Sequence, residues 1–209
     1  MSYANPTVYV VDDDTAVRRS LETLIWSAGW KVATFGSAAD FLAFPRVPAP
    51  GCLVLDVMLP DLSGLELQHR VVSERWEMPI VFISGYGDVP MTVRAMKAGA
   101  VDFFTKPFHG NALLAAIDQA IRRSEAALAR NTELTALRNR YLSLSCRERQ
   151  VMTLVVTGML NKQVADRLSI SEITVKAHRG HAMRKMQARS LADMVKMSAR
   201  LEEPRPMEA

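Results

Sequence analysis

The chain has 209 residues, 49% of them hydrophobic and 23% charged, with a formal net charge of +4. No apolar run approaches the roughly 18 residues that a membrane helix needs, and the start lacks the basic and apolar segments of a signal peptide. Cys52 and Cys146 stand far apart with no metal-ligand spacing, so a reduced cytoplasmic setting with no membrane partner is expected.

Charge is uneven along the chain. Residues 1–107 hold 9 Lys and Arg against 12 Asp and Glu, net −3; residues 108–141 hold 5 against 3, net +2; residues 142–209 hold 12 against 7, net +5. An acidic front and a basic back predict two domains with different partners, the basic one being the candidate for nucleic acid.

The front half alternates between two periodicities. Strands are predicted over 7–11, 30–34, 52–56, 79–84 and 101–105, each a short β-branched or apolar run. Between them lie helical patterns over 15–29, 37–44, 63–74 and 90–99, and a long one starts at Gly110. Such alternation predicts a doubly wound α/β fold with a five-stranded parallel sheet. Ligands of such sheets collect at the carboxyl ends of the strands.

Four of those ends carry chemistry: Asp12, Asp13 and Asp14 after the first strand, Asp56 after the third, Ser84 after the fourth and Lys106 after the fifth. The second ends in Thr34, which carries none. Taken alone, an Asp after a strand is a turn residue or a helix cap, and Asp14 is assigned to the cap. Taken together, the carboxylates suit a hard divalent cation such as Mg²⁺, which offsets their mutual repulsion. A carboxylate beside that cation and a Lys ammonium is placed to attack a phosphoryl group, and Ser84 can donate to a phosphoryl oxygen. The same opening is similar to the DxDx(T/V) start of haloacid-dehalogenase-type phosphatases, with Asp12 and Asp14 in place but Ala16 at the last position.

The strings VVDDD, LVLDVMLPDLSGLEL, VFISGYGD and AGAVDFFTKPF resemble the receiver domain of two-component response regulators. The resemblance implies a flavodoxin-like receiver over 1–122 in which Asp56 accepts a phosphoryl group from a sensor histidine kinase. It implies Asp12, Asp13, Asp56 and the backbone carbonyl of Met58 as Mg²⁺ ligands, and Lys106 as the partner of the phosphoryl group. Ser84 and Phe103 become the switch pair. Ser stands where Thr is commoner and Phe where Tyr is common; the hydroxyl donor and the ring volume remain. Met58 and Tyr86 are bulky and not acidic, which implies slow loss of the phosphoryl group.

No Gly or Pro interrupts 111–141, so one long helix or two nearly joined are expected, with Leu113, Leu114, Ile117, Ile121, Leu128, Leu134 and Leu137 on its apolar side. Residues 123–141 are expected to link the domains, with a short dimer contact rather than a full coiled coil. Beyond them, helices are predicted from Ser145 to Gly158, over 161–169, 170–187 and 190–202. A short helix, a tight turn and a longer basic helix make a helix-turn-helix. From Thr174 to Arg189 there is no acid, while Lys176, Arg179, Arg184, Lys185 and Arg189 are basic; Ile173, Ala177, Met183 and Met186 are expected to face the core. Gly180 in mid-helix is explained by close approach of backbone to DNA. His178 and His181 lack further ligands for a metal.

LSCRERQVM, NKQVADRLSIS and TVKAHRGHAMRKM resemble the LuxR-type helix-turn-helix, placed at 142–200, with a disordered tail expected over 201–209. The whole chain is similar to transcriptional regulators of the FixJ/NarL class, nearest the FixJ branch. That implies a non-enzyme whose phosphorylation switches binding to double-stranded promoter DNA, as a homodimer and with RNA polymerase as a further partner. Lys176, Ala177 and Gly180 would face bases and Thr174 and Arg179 phosphates, with Asn161, Lys162 and Arg184 also at the DNA.

Overall fold

The computed structural model of the chain describes residues 5–45, 49–73 and 78–202. It forms two compact units, residues 1–129 and 130–209.

The first unit is the expected alternation: β1 (Thr7–Val11), α1 (Thr15–Ser27), β2 (Lys31–Phe35), α2 (Ala38–Ala43), β3 (Gly51–Asp56), α3 (Gly64–Ser73), β4 (Ile80–Ser84), α4 (Val89–Lys97) and β5 (Asp102–Thr105). A long helix, α5 (Gly110–Leu142), follows. The strands pair in parallel in the order β2-β1-β3-β4-β5. Period-two alternation then sorts the core. Val8, Val10, Cys52, Val54, Val81 and Ile83 face α1 and α5, where Leu21, Ile25, Leu113, Ile117 and Ile121 cover them. Tyr9, Val11, Leu53, Leu55 and Phe82 face the other way, under Phe41, Leu67, Val71 and Ala95. Both faces are buried, as a parallel sheet requires.

Most predicted boundaries agree to within a residue or two. β2 runs one residue past Thr34, and its last side chain, Phe35, packs against Tyr9, Phe41 and Phe44. Asp88 caps α4 by accepting from the Met91 amide at 2.7 Å, which moves that helix start to Val89. Glu74, the expected end of α3, and residues 203–209 of the expected tail lie outside the described residues.

The strand order reverses between β1 and β3, so a crevice opens where those neighbours end. Asp12 and Asp13 follow β1, and Asp56 closes β3. Gly64 fixes the floor beside them: a Cβ there would collide with the carbonyl oxygen of Asp56 and lie 2.9 Å from Val57 Cα. Its amide donates to the Val57 carbonyl at 2.9 Å, so the start of α3 is seated directly on the Asp56 backbone.

Among its described residues, the second unit holds the end of α5 and four shorter helices, α6 (Cys146–Val156), α7 (Asn161–Leu168), α8 (Glu172–Met186) and α9 (Leu191–Glu202). Val151, Val155, Val164, Ala165 and Val175 form one buried cluster, and Leu137, Leu144, Met152, Ala182, Met186 and Met194 another. The predicted capping box is present: Glu148 N–H donates to Ser145 Oγ at 3.2 Å, and Ser145 N–H to Glu148 Oε2 at 2.7 Å. Lys185 Nζ reaches the same oxygen at 2.7 Å, tying α8 to the start of α6.

Those contacts, the Lys185 hydrogen bond first and the Ser145 amide second, hold the Glu148 carboxyl down to about 2 against an ordinary 4.5. A lowered folded value gives stability that is full above the ordinary value and is lost as the carboxylate protonates. The second unit is therefore expected to lose stability as pH falls from about 4.5 toward 2. Thermal unfolding of wild type and Glu148→Gln across that window checks this; the variant should be the less stable near neutrality and the difference should shrink with acid.

Candidate functional site

At the crevice, Lys106 Nζ lies 2.6 Å from Asp12 Oδ2 and 2.6 Å from Asp56 Oδ2. Asp12 is fully buried and Asp56 nearly so, while Asp13 is exposed at the rim. Oxygens of Asp12, Asp13 and Asp56 all fit within 4.8 Å of one another. The other carboxylate oxygens are aimed by backbone amides: Asp14 N–H donates to Asp12 Oδ1 at 2.9 Å and Met58 N–H to Asp56 Oδ1 at 3.0 Å. Burial raises the Asp12 carboxyl, although Lys106 and the Asp14 amide pull against it. Burial by itself lowers the Lys106 ammonium, but hydrogen bonds and charge from the two aspartates outweigh it, so Lys106 is held above its ordinary value. A fixed ammonium bridging two carboxylates, with a third at the rim, is an oxygen-rich pocket that fits a hard divalent cation.

Ser84 is fully buried at the end of β4. Its hydroxyl donates to the Tyr86 carbonyl at 2.6 Å and accepts the Tyr86 amide at 3.1 Å, so it is occupied by the following loop. Phe103 is half-buried, its ring 6.0 Å from that of Phe82. A Cβ at Gly87 would lie 3.3 Å from that Phe103 ring and against Thr105. Ser84 and Phe103 thus both border the short loop 85–87.

In the second unit α7 and α8 are joined by the turn 169–171, with Ser169 left-handed at φ 54°. Ser171 caps α8 by accepting the Thr174 amide at 3.1 Å, and its hydroxyl lies 2.8 Å from Thr174 Oγ1. Val175, Ala182 and Met186 are the buried side of α8. Ile173 and Ala177, expected in the core, are both exposed. The reason is angular: at about 100° per residue both lie nearly opposite Val175. Lys176, Gly180 and Arg184 share the exposed side. Arg179 lies on the flank, where Nη1 donates to Asn161 Oδ1 at 3.3 Å and so links α8 to α7. Lys162 is exposed, whereas Lys185 is spent on Glu148.

Two family models match the chain: the response regulator receiver domain over residues 8–118 and the bacterial regulatory proteins of the luxR family over 142–198. Nodulation protein W of Bradyrhizobium diazoefficiens is 50% identical over 93% of this chain and 86% of its own length. The transcriptional regulatory protein FixJ of the same organism is 44% identical over 92% and 94%. Among solved structures, the response regulator StyR superposes with a TM-score of 0.83 at 48% identity, covering 94% of this chain and 99% of that one.

The chain is a response regulator. It belongs to the class that joins a receiver to a LuxR-type DNA-binding domain, and members of that class are phosphorylation-dependent transcription regulators rather than enzymes. Asp14 is the N-cap of α1, as expected, its Oδ1 accepting from the amides of Ala16 at 2.7 Å and Val17 at 3.4 Å.

One residue of this regulator was not singled out by its sequence. Arg18 Nη1 donates to the carbonyl oxygens of Asp12 at 2.6 Å and Asp13 at 2.8 Å, and Nη2 donates to Thr15 Oγ1 at 2.9 Å. It clamps the acidic loop from behind and sets a positive charge beside it. The available signal was a basic side chain one turn into the helix that follows the acids.

Gly180 of the regulator is exposed, and a Cβ there would meet nothing within 4 Å. No packing in the domain asks for a glycine. Gly180→Ala is expected to stabilise the second unit by about 1 kcal/mol through helix propensity and to weaken DNA binding. A melt and a duplex titration of the same variant check both; a stabilised variant with undiminished affinity would remove Gly180 from the interface.

Proposed function

We propose that a sensor histidine kinase phosphorylates Asp56 and that this modification switches binding of the second unit to promoter DNA in the cytoplasm. The receiver would span 1–122, the linker 123–141 and the DNA-binding domain 142–200. The observation that carries the reading is Lys106 bridging Asp12 and Asp56 at 2.6 Å each. It supports a nucleophilic role for Asp56, whose carboxylate lies beside the Lys106 ammonium with Asp12 and Asp13 close by.

In the transfer, an Asp56 carboxylate oxygen attacks phosphorus, the bond from phosphorus to the donor atom breaks, and the electron pair leaves with the donor. Lys106 neutralises charge on the phosphoryl oxygens. Asp12, Asp13, Asp56 and the Met58 carbonyl would hold Mg²⁺, which supplies further neutralisation of those oxygens. Ser84 would exchange the Tyr86 carbonyl for a phosphoryl oxygen, and the freed loop would let Phe103 turn inward. Both moves are local, and they bias a two-state receiver rather than rebuild it.

Phosphorylation is proposed to favour a homodimer. Val89, Val93 and Met96 are exposed along α4 at 76%, 43% and 41%, one or two turns apart, and a second copy is their proposed cover. On DNA, Lys176, Ala177, Gly180 and Arg184 would enter the major groove. Thr174, Arg179, Asn161 and Lys162 would lie near phosphates, and the bound regulator would act through RNA polymerase.

The test is phosphorylation of the purified chain by acetyl phosphate. One phosphoryl group is expected with Mg²⁺ and none with a chelator present. Asp13→Asn should raise the Mg²⁺ concentration needed. An adduct that forms equally well without a divalent cation would contradict the reading.

A further inference from the structure

Ile173 is 80% exposed, more than any other large apolar side chain among the described residues. It belongs to neither core cluster of its unit. At about 100° per residue, Ile173, Lys176, Ala177, Gly180 and Arg184 fall within roughly 100° of arc on one side of α8, and all five are exposed. Val175, Ala182 and Met186 occupy the opposite, buried side. The outward face is therefore an apolar strip, Ile173 then Ala177 then the bare backbone of Gly180, with Lys176 beside it and Arg184 at its C-terminal end.

That pattern names its partner. Cations beside an apolar strip fit a surface that is anionic at its edges and has apolar points in its floor. The major groove of DNA is such a surface: phosphates line it, and the C5 methyl of thymine is the apolar group among its base edges. Ile173 is the second residue of α8, and it is the N-terminal residues of a recognition helix that reach base edges. A β-branched side chain in a helix keeps essentially one χ1 rotamer, so its methyls are already placed before DNA arrives.

We propose that Ile173 is a specificity-determining residue that reads a thymine C5 methyl in the major groove. The inference rests on the DNA-binding reading above and adds the base and the atom.

The test uses the full-length chain and duplexes that it enriches from a random pool. In each duplex thymines are replaced one at a time by deoxyuridine, which removes only the methyl. Wild type is expected to lose about three- to tenfold in affinity at one thymine per half-site, the range set by one buried methyl group. Ile173→Ala should lose a similar factor on the thymine duplex and nothing more on the deoxyuridine duplex. Ile173→Val should fall between them, and the melting temperatures should stay together because the side chain is exposed. Wild type indifferent to every deoxyuridine replacement would overturn the proposal, as would Ile173→Ala remaining as sensitive as wild type. Failure to enrich any duplex would overturn the DNA-binding reading and Ile173's role together; enrichment without a methyl effect overturns only the latter.

Discussion

Asp56→Asn is expected to abolish phosphorylation of the chain by acetyl phosphate and Mg²⁺. The substitution keeps the side-chain shape, and Oδ1 can still accept the Met58 amide that lies at 3.0 Å. What it removes is nucleophilicity, because a neutral amide oxygen is a far weaker attacker than a carboxylate. It also removes one of the two anions beside Lys106, so the fold should survive and the loss should be chemical. Intact-protein mass measurement reads the result directly. No added phosphoryl group is expected on the variant, against one on wild type. An equal adduct on both would place the acceptor elsewhere, with Asp12 and Asp13 the nearest carboxylates.

The second large effect concerns the outward face of α8. Lys176→Ala is expected to weaken duplex binding about tenfold, on the order of 1–2 kcal/mol for one base-edge contact. Lys176 is exposed, so its loss should leave the domain folded. Wild-type affinity should also fall steeply as salt rises, since each neutralised phosphate releases counterions. Arg179→Ala should behave differently. Its guanidinium is held by Asn161 at 3.3 Å on the flank of the helix, so it should weaken all sequences alike and flatten the salt slope. Binding that ignores salt, or a Lys176→Ala variant equal to wild type, would contradict the assignment of this face to DNA.

The sheet was legible because its strands are short and mostly apolar or β-branched, and because Gly29 and Gly99 end α1 and α4 with φ of +89° and +94°. The acid cluster was legible for a topological reason: parallel strands put every carboxyl end on one edge, so Asp12, Asp56 and Lys106 had to converge. Three features were not legible. Arg18 acts on backbone carbonyls, and sequence patterns of side-chain chemistry carry no trace of such contacts. Hydrophobicity alone puts Ile173 in the core, whereas its phase relative to Val175 puts it outside. The resting engagement of Ser84 with Tyr86 depends on a loop conformation that strand and helix periodicity do not encode.

In the proposed reading, one acyl phosphate in the acidic crevice governs DNA binding by the basic helix α8. The direct measurement is a titration of one enriched duplex with wild type and Asp56→Asn, each before and after incubation with acetyl phosphate and Mg²⁺. The account predicts that phosphodonor tightens binding by wild type and leaves the variant where it started. Equal tightening of both proteins, or a phosphorylated wild type whose affinity does not move, would contradict it.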